Sequence, residues 1–109
     1  GLAEYNGAWF YVANGKMDTT KKGMVEYNGG LFYVGAGKIM KHVSGLAQDP
    51  VTGKWYFLAE GQVQKQHTGL ALYDGKWFYV INGEFANTYT GYVTYDGSKF
   101  YVVKGEVQL

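Results

Sequence analysis

Residues 69–80 read GLALYDGKWFYV, and residues 1–12 read GLAEYNGAWFYV. Both phrases place glycine first and seventh and close on Trp-Phe-Tyr-Val. Weaker copies stand at 23–34 (GMVEYNGGLFYV) and 91–102 (GYVTYDGSKFYV), and a fifth, at 45–58 (GLAQDPVTGKWYFL), carries two extra residues before its second glycine. Units therefore begin at Gly1, Gly23, Gly45, Gly69 and Gly91, at spacings of 22, 22, 24 and 22 residues. Self-similarity at such a period marks repeat architectures, in which no single unit buries a core and stability comes from stacking neighbours. The expectation is one repeat module over 1–109, with units 1–22, 23–44, 45–68, 69–90 and 91–109. The chain opens on a unit boundary and closes inside a unit, as a piece excised from a larger protein would.

Turn chemistry recurs in phase with the repeat. Asn6-Gly7, Asn28-Gly29, Asp74-Gly75 and Asp96-Gly97 suit two-residue type I′ turns, whose two central residues both need positive φ. A second turn follows the aromatic segment at Asn14-Gly15, Ala36-Gly37, Glu60-Gly61, Asn82-Gly83 and Lys104-Gly105. Beyond it comes one apolar residue per unit: Met17, Ile39, Val63, Phe85 and Val107. Glycines interrupt any 3.6-residue periodicity, which argues against helices. Each unit is predicted to be a short strand, a tight turn, a longer aromatic strand, a second turn and a third strand. In the third unit Gln48–Gly53 replaces the tight turn with a longer loop, and Pro50, the only proline, falls where no ladder bond is needed.

Alternation assigns faces to the aromatic strand. One side carries Phe10, Phe32, Tyr56, Phe78 and Phe100, then Val12, Val34, Leu58, Val80 and Val102. This uniformly large and mostly apolar column is predicted to form the shared core. The other side carries Trp9, Leu31, Trp55, Trp77 and Lys99, then Tyr11, Tyr33, Phe57, Tyr79 and Tyr101. It is either the second wall of the core or a partly exposed aromatic stripe. Tyr5, Tyr27, Tyr73 and Tyr95 precede the tight turn, where pairing with an aromatic residue on the facing strand is expected, worth roughly 0.2–1 kcal/mol.

Composition narrows the function classes. Ten basic residues, all lysine, nearly balance nine acidic ones, and a near-neutral chain without arginine argues against a nucleic-acid binder. There is no cysteine, hence no disulfide framework, thiolate metal site or thiol nucleophile. Apolar runs of at most six residues, such as Ala8–Ala13 and Trp77–Ile81, are too short to span a membrane as a helix. His42 and His67 lack the companions a metal site needs and are expected to be solvated residues near the joins between units. Asp49 and Glu60 are close in sequence, but nothing places them in a cleft as a glycosidase pair. Glycines mark turns and never a phosphate-binding loop before a helix. Neither an enzyme nor a cofactor is expected.

Gly7-Ala8-Trp9-Phe10-Tyr11-Val12, then Asn14-Gly15 and Met17, resembles the cell-wall-binding repeats of Gram-positive surface proteins, which include the choline-binding modules and related repeats of clostridial toxins and glucan-binding enzymes. Gly75-Lys76-Trp77-Phe78-Tyr79-Val80 with Asn82-Gly83 and Phe85 is similar, and Thr68-Gly69 and Thr90-Gly91 match the motif's close. The resemblance covers the whole chain and recurs five times. It implies an all-β, β-solenoid-like array of stacked hairpins, about five units of 22 residues, acting as an attachment module. One departure stands out: where the family's choline sites place tryptophan after the opening glycine, this chain has Leu2, Met24, Leu46, Leu70 and Tyr92.

Flat aromatic faces stack on sugar rings and on quaternary ammonium groups. The candidate ligand-binding residues are therefore Trp9, Tyr11, Tyr33, Trp55, Trp77, Tyr79 and Tyr101. The expected partner is a cell-wall polysaccharide or teichoic acid, with choline one candidate group, on the outer surface of a bacterium. Weak sites in a row would gain by avidity. Open strand edges offer two arrays a way to pair as a homodimer. The competing expectation is a structural spacer or protein-interaction module with the stripe wholly buried.

Overall fold

The computed structural model describes residues 1–109 as an all-β rod, 50 × 23 × 23 Å. Its single open sheet has 15 antiparallel strands, three from each unit. The opening strands are Leu2–Tyr5, Gly23–Tyr27, Gly45–Gln48, Gly69–Tyr73 and Gly91–Tyr95. The aromatic strands are Ala8–Ala13, Gly30–Gly35, Trp55–Ala59, Lys76–Ile81 and Ser98–Val103. The third strands, Lys16–Met17, Lys38–Ile39, Gln62–Val63, Glu84–Phe85 and Glu106–Gln108, are two or three residues long. All nine two-residue turns adopt positive φ at both positions, from Asn6 (51°) and Gly7 (79°) to Lys104 (48°) and Gly105 (82°), the geometry of type I′ hairpins.

Register explains how hairpins become an array. Each opening strand pairs with its own aromatic strand, Leu2 opposite Tyr11 and Leu70 opposite Tyr79. The other edge of the aromatic strand takes two short strands. Its end pairs with the third strand of its own unit (Val34 opposite Ile39), and its start pairs with the third strand of the next unit: Phe10 opposite Lys38, Phe32 opposite Gln62, Tyr56 opposite Glu84 and Phe78 opposite Glu106. Every opening strand is paired on one side only, so its four or five residues leave the edge that an edge-paired homodimer would use.

At each joint the glycine of the second turn does more than turn the chain. Gly37, Gly61, Gly83 and Gly105 are buried. The carbonyl of each accepts from an amide in the preceding unit's aromatic strand, on Tyr11, Tyr33, Phe57 and Tyr79, at 2.7–2.8 Å. The amide of each donates to the preceding unit's join, at the carbonyls of Lys21, Val43, His67 and Tyr89, at 2.8–2.9 Å. A Cβ on Gly61 would lie 2.7 Å from the Met40 carbonyl oxygen, and one on Gly83 2.5 Å from that of Gln64. Gly15 has the same φ of about 75° but nothing within 4 Å of its Cβ position, because in the first unit this turn meets no earlier unit. A hydroxyl completes three joints: Ser44, Thr68 and Thr90 accept from the amides of Glu60, Asn82 and Lys104 at 3.0 Å. At the first joint Lys22 stands in that place and Ala36 lacks the bond.

The two faces of the aromatic strand meet across each joint. Leu2, Trp9 and Tyr11 of unit 1 pack on Val25, Phe32, Val34 and Ile39 of unit 2. Leu46, Trp55 and Phe57 of unit 3 pack on Ala71, Phe78 and Val80 of unit 4. Leu70 and Tyr79 of unit 4 pack on Val93, Phe100, Val102 and Val107 of unit 5. Both columns therefore contribute walls. Val34, Leu58, Val80 and Val102 are at most 1% exposed, whereas Phe32, Tyr56, Phe78 and Phe100 beside them are only half-buried. Each fully buried aliphatic side chain contributes roughly 1.5–3 kcal/mol, so the interior is a line of small clusters rather than one thick core.

Gly15→Ala is expected to cost about 1 kcal/mol, from left-handed backbone strain alone. Gly83→Ala adds a clash with the Gln64 carbonyl and is expected to cost about 2–4 kcal/mol in total. Urea unfolding of the two variants checks this, and equal losses would contradict the clamp. Lys22→Thr supplies the missing hydroxyl to the Ala36 amide and is expected to raise stability by about 0.5–1.5 kcal/mol, read in the same assay.

Candidate functional site

Three of the four joints carry an open aromatic groove, and equivalent places of the repeat line it. Between units 1 and 2, Leu2 and Trp9 face Tyr27, Phe32 and Ile39. Between units 3 and 4, Leu46 and Trp55 face Tyr73, Phe78 and Phe85. Between units 4 and 5, Leu70 and Trp77 face Tyr95 and Phe100, with Leu109 along one side. The tryptophan rings meet tyrosines of the following unit: Trp9 and Tyr27 lie 5.8 Å apart at 56°, and Trp55 and Tyr73 4.9 Å apart at 66°. Such tilted contacts leave part of each ring face open. Trp77 is 37% exposed, while Trp9 and Trp55 are partly buried.

These tyrosines depart from expectation. The cross-strand neighbours of Tyr27, Tyr73 and Tyr95 are Gly30, Lys76 and Ser98, none of them aromatic. The aromatic contacts of Tyr27 and Tyr73 run between units, to Trp9 and Trp55. Tyr5, with no preceding tryptophan to meet, is 69% exposed. A signal for this was present in the repeat: units 1, 3 and 4 hold tryptophan at the ninth place or its equivalent, and each is followed by a unit with tyrosine at the fifth. Unit 2 has Leu31 there, and unit 3, which follows, has no such tyrosine.

The joint between units 2 and 3 is accordingly different. The longer loop folds down over Gly23, where a Cβ would come 2.8 Å from Asp49 Oδ1. Asp49 is 3% exposed; its carboxylate accepts from the Val51 amide at 2.9 Å, and its own amide donates to the Lys54 carbonyl at 2.8 Å. The Tyr33 hydroxyl donates to the Gln48 carbonyl at 3.2 Å, which ties unit 2 to the base of this loop. Tyr56 takes the place held by phenylalanine in the other units. Burial, reinforced by the carboxylates of Glu84 and Asp49, raises its pKa above the ordinary tyrosine value, so the neutral phenol is favoured.

The remaining candidates stand apart from the grooves. Tyr11 packs in the first joint with the Lys21 ammonium 4.9 Å from its ring centre. Tyr79 packs in the last joint against Tyr89 at 4.8 Å. Tyr101 is exposed on unit 5 beside Tyr92, whose ring already has the Lys99 ammonium 4.6 Å above it. His42 is exposed as expected, but His67 is not a freely solvated residue. Its ring stacks on Phe57 at 4.4 Å and 26°, and its Nε2 is buried without a hydrogen-bond partner. This corrects the expectation for His67: the join lies against the aromatic strand of its own unit, so a residue there is drawn under the sheet edge.

A family model described as a choline-binding repeat matches residues 1–18, 68–83 and 88–108, about half of the chain. The chain belongs to the choline-binding repeat family. The matched segments leave out residues 19–67, which contain Leu31 and the long loop. Among solved structures, choline-binding protein F of Streptococcus pneumoniae, in its second crystal form, is 23% identical with a TM-score of 0.47, over 98% of this chain and 34% of that one. CbpF in complex with ipratropium is 24% identical with a TM-score of 0.48, over 98% of this chain and 32% of that one. The present chain thus spans about a third of the length of each. No curated protein matches it.

Proposed function

We propose that this chain is a non-catalytic attachment module that holds a bacterial surface or secreted protein on a cell-wall polymer, and that its inter-unit grooves are the binding sites. The observation that carries the reading is the recurrence of one groove, built from Trp, Tyr and Phe, at each joint where the repeat supplies tryptophan. A packing role alone would not require the ring faces to stay open. Membership of the choline-binding repeat family supports a quaternary ammonium group as ligand. Such a cation gains roughly 0.5–2 kcal/mol from an aromatic face and needs no hydrogen bond. The groove between units 3 and 4 suits it best, because its lining is Leu46, Trp55, Tyr73, Phe78 and Phe85. The missing tryptophan after the opening glycine does not leave the groove without rings: Tyr and Phe of the next unit supply the other walls. Several weak sites along one 50 Å rod favour a polymer that repeats its recognised group, since each further contact is made at high effective concentration.

Titration of indole fluorescence with choline, and separately with choline-bearing wall teichoic acid, is expected to give a saturable change. The polymer is expected to bind more tightly per chain than the free group. Trp55→Ala is expected to weaken choline binding about tenfold, the upper part of the cation–π range. Indole emission that no choline compound, teichoic acid, peptidoglycan or polysaccharide moves, in a chain whose melting is equally unaffected, would instead make the module a spacer.

A further inference from the structure

The groove between units 1 and 2 differs in chemistry from that between units 3 and 4, and two places of the repeat explain most of the difference. At the eighth place unit 4 has Lys76, whose ammonium lies 4.0 Å from the Glu106 carboxylate of the next unit. The groove itself, about 190 Å³, is lined by Leu46, Trp55, Tyr73, Phe78 and Phe85, and the paired charges are not part of that lining. In the first groove the same places hold Gly30 and Gln62. A Cβ on Gly30 would lie 2.9 Å from the Phe32 ring and 3.0 Å from the Gln62 side-chain amide, so a larger residue here would crowd both. The volume here is about 460 Å³, and Trp9 of unit 1, Asn28 and Lys41 of unit 2, and Glu60 and Gln62 reaching in from unit 3 stand around it.

Those polar groups suit one kind of ligand. The two side-chain amides each donate and accept, the carboxylate accepts and the ammonium donates. Hydroxyl groups, which do both, can use all four. The hydrogen bonds of Glu60 and Gln62 come from their backbone groups, to Ser44 and from Gln64, which leaves their side chains available. Lys41 is held at the rim by its bond to the Gly7 carbonyl at 3.3 Å. Lys41 and Glu60 cancel in charge, so the groove offers no net attraction for a cation. A quaternary ammonium would strip water from four polar groups without replacing the hydrogen bonds. The indole of Trp9 offers a flat surface for the apolar face of a sugar ring.

We propose that the groove between units 1 and 2 is a saccharide site for an uncharged pyranose, so that one array holds two ligand classes, sugar at this joint and quaternary ammonium between units 3 and 4. The proposal rests on the reading of the inter-unit grooves as binding sites. Trp9 carries the ring, and Gln62 and Asn28 bind its hydroxyls. Gly30 keeps the groove open.

The three tryptophans report separately, one per groove, through indole N–H signals in the NMR spectrum of the intact chain, assigned with Trp9→Phe and Trp77→Phe. Glucose, N-acetylglucosamine and a short dextran are titrated, and then choline. At least one saccharide is expected to move the Trp9 signal saturably and leave Trp55 in place, while choline moves Trp55 and leaves Trp9. Gln62→Ala is expected to weaken the saccharide response about five- to tenfold and to leave the choline response of Trp55 unchanged. A Trp9 signal that follows choline and ignores every saccharide overturns the proposal while the attachment reading stands. Saccharides that move all three signals alike, or unaltered saccharide affinity in Gln62→Ala, overturn it too. Three signals that respond to none of these compounds remove the groove reading itself, and this proposal with it.

Discussion

Each joint of this rod turns on a glycine whose two backbone groups are both spent on the unit before it. Gly37, Gly61, Gly83 and Gly105 accept from an aromatic strand and donate to a join, and they do so buried, with carbonyl oxygens where a side chain would begin. The left-handed backbone at these glycines belongs to the turn, and the absent Cβ belongs to the contact. A buried amide or carbonyl left unpaired costs about 1–3 kcal/mol, so the pair of bonds fixes how far and at what angle one unit sits on the next. The hydroxyls of Ser44, Thr68 and Thr90 tighten the same seam.

Once the seam is fixed, the rest of the joint follows from strand alternation. The face with the opening leucine and the tryptophan lands on the next unit's face with phenylalanine and valine. Aliphatic side chains close the middle of the contact. At its margin the larger tryptophan and tyrosine rings meet at an angle and leave a groove. The structural seam and the proposed binding surface are thus one contact with a dry centre and an open rim. Where the rim loses its tryptophan, at Leu31, a loop anchored by buried Asp49 occupies the next unit's side of the joint. The array keeps its stacking there and gives up the aromatic groove.

Much of this was legible in the chain. Asn-Gly and Asp-Gly pairs reported the hairpin turns because type I′ geometry needs positive φ twice, and period-two alternation separated the Phe/Val column from the Trp/Tyr column. The resemblance of the Gly-x-Trp-aromatic segments to cell-wall-binding repeats agreed with the family to which the chain belongs. What local patterns could not give was the relation between units. Alternation pairs Tyr27 and Tyr73 within their own hairpins, yet their partners Trp9 and Trp55 lie one unit back, a distance that alternation within a strand does not encode. Gly37 and Gly15 look alike as turn residues, and only the stacked neighbour distinguishes them. His67 looked like a solvated join residue because nothing in its own segment reveals that Phe57 lies beneath it.

The central claim is that the inter-unit hydrogen bonds at the turn glycines hold the rod together as one body. Amide hydrogen exchange on the intact chain tests it most directly at the four amides of Tyr11, Tyr33, Phe57 and Tyr79, each bonded to a glycine carbonyl of the next unit. These amides are expected to exchange among the slowest in the chain and at similar free energies, through opening of the whole array. Exchange at those four positions as fast as at the exposed hairpin tips, Gly7 and Gly75, would show that the units are not clamped and would contradict the account.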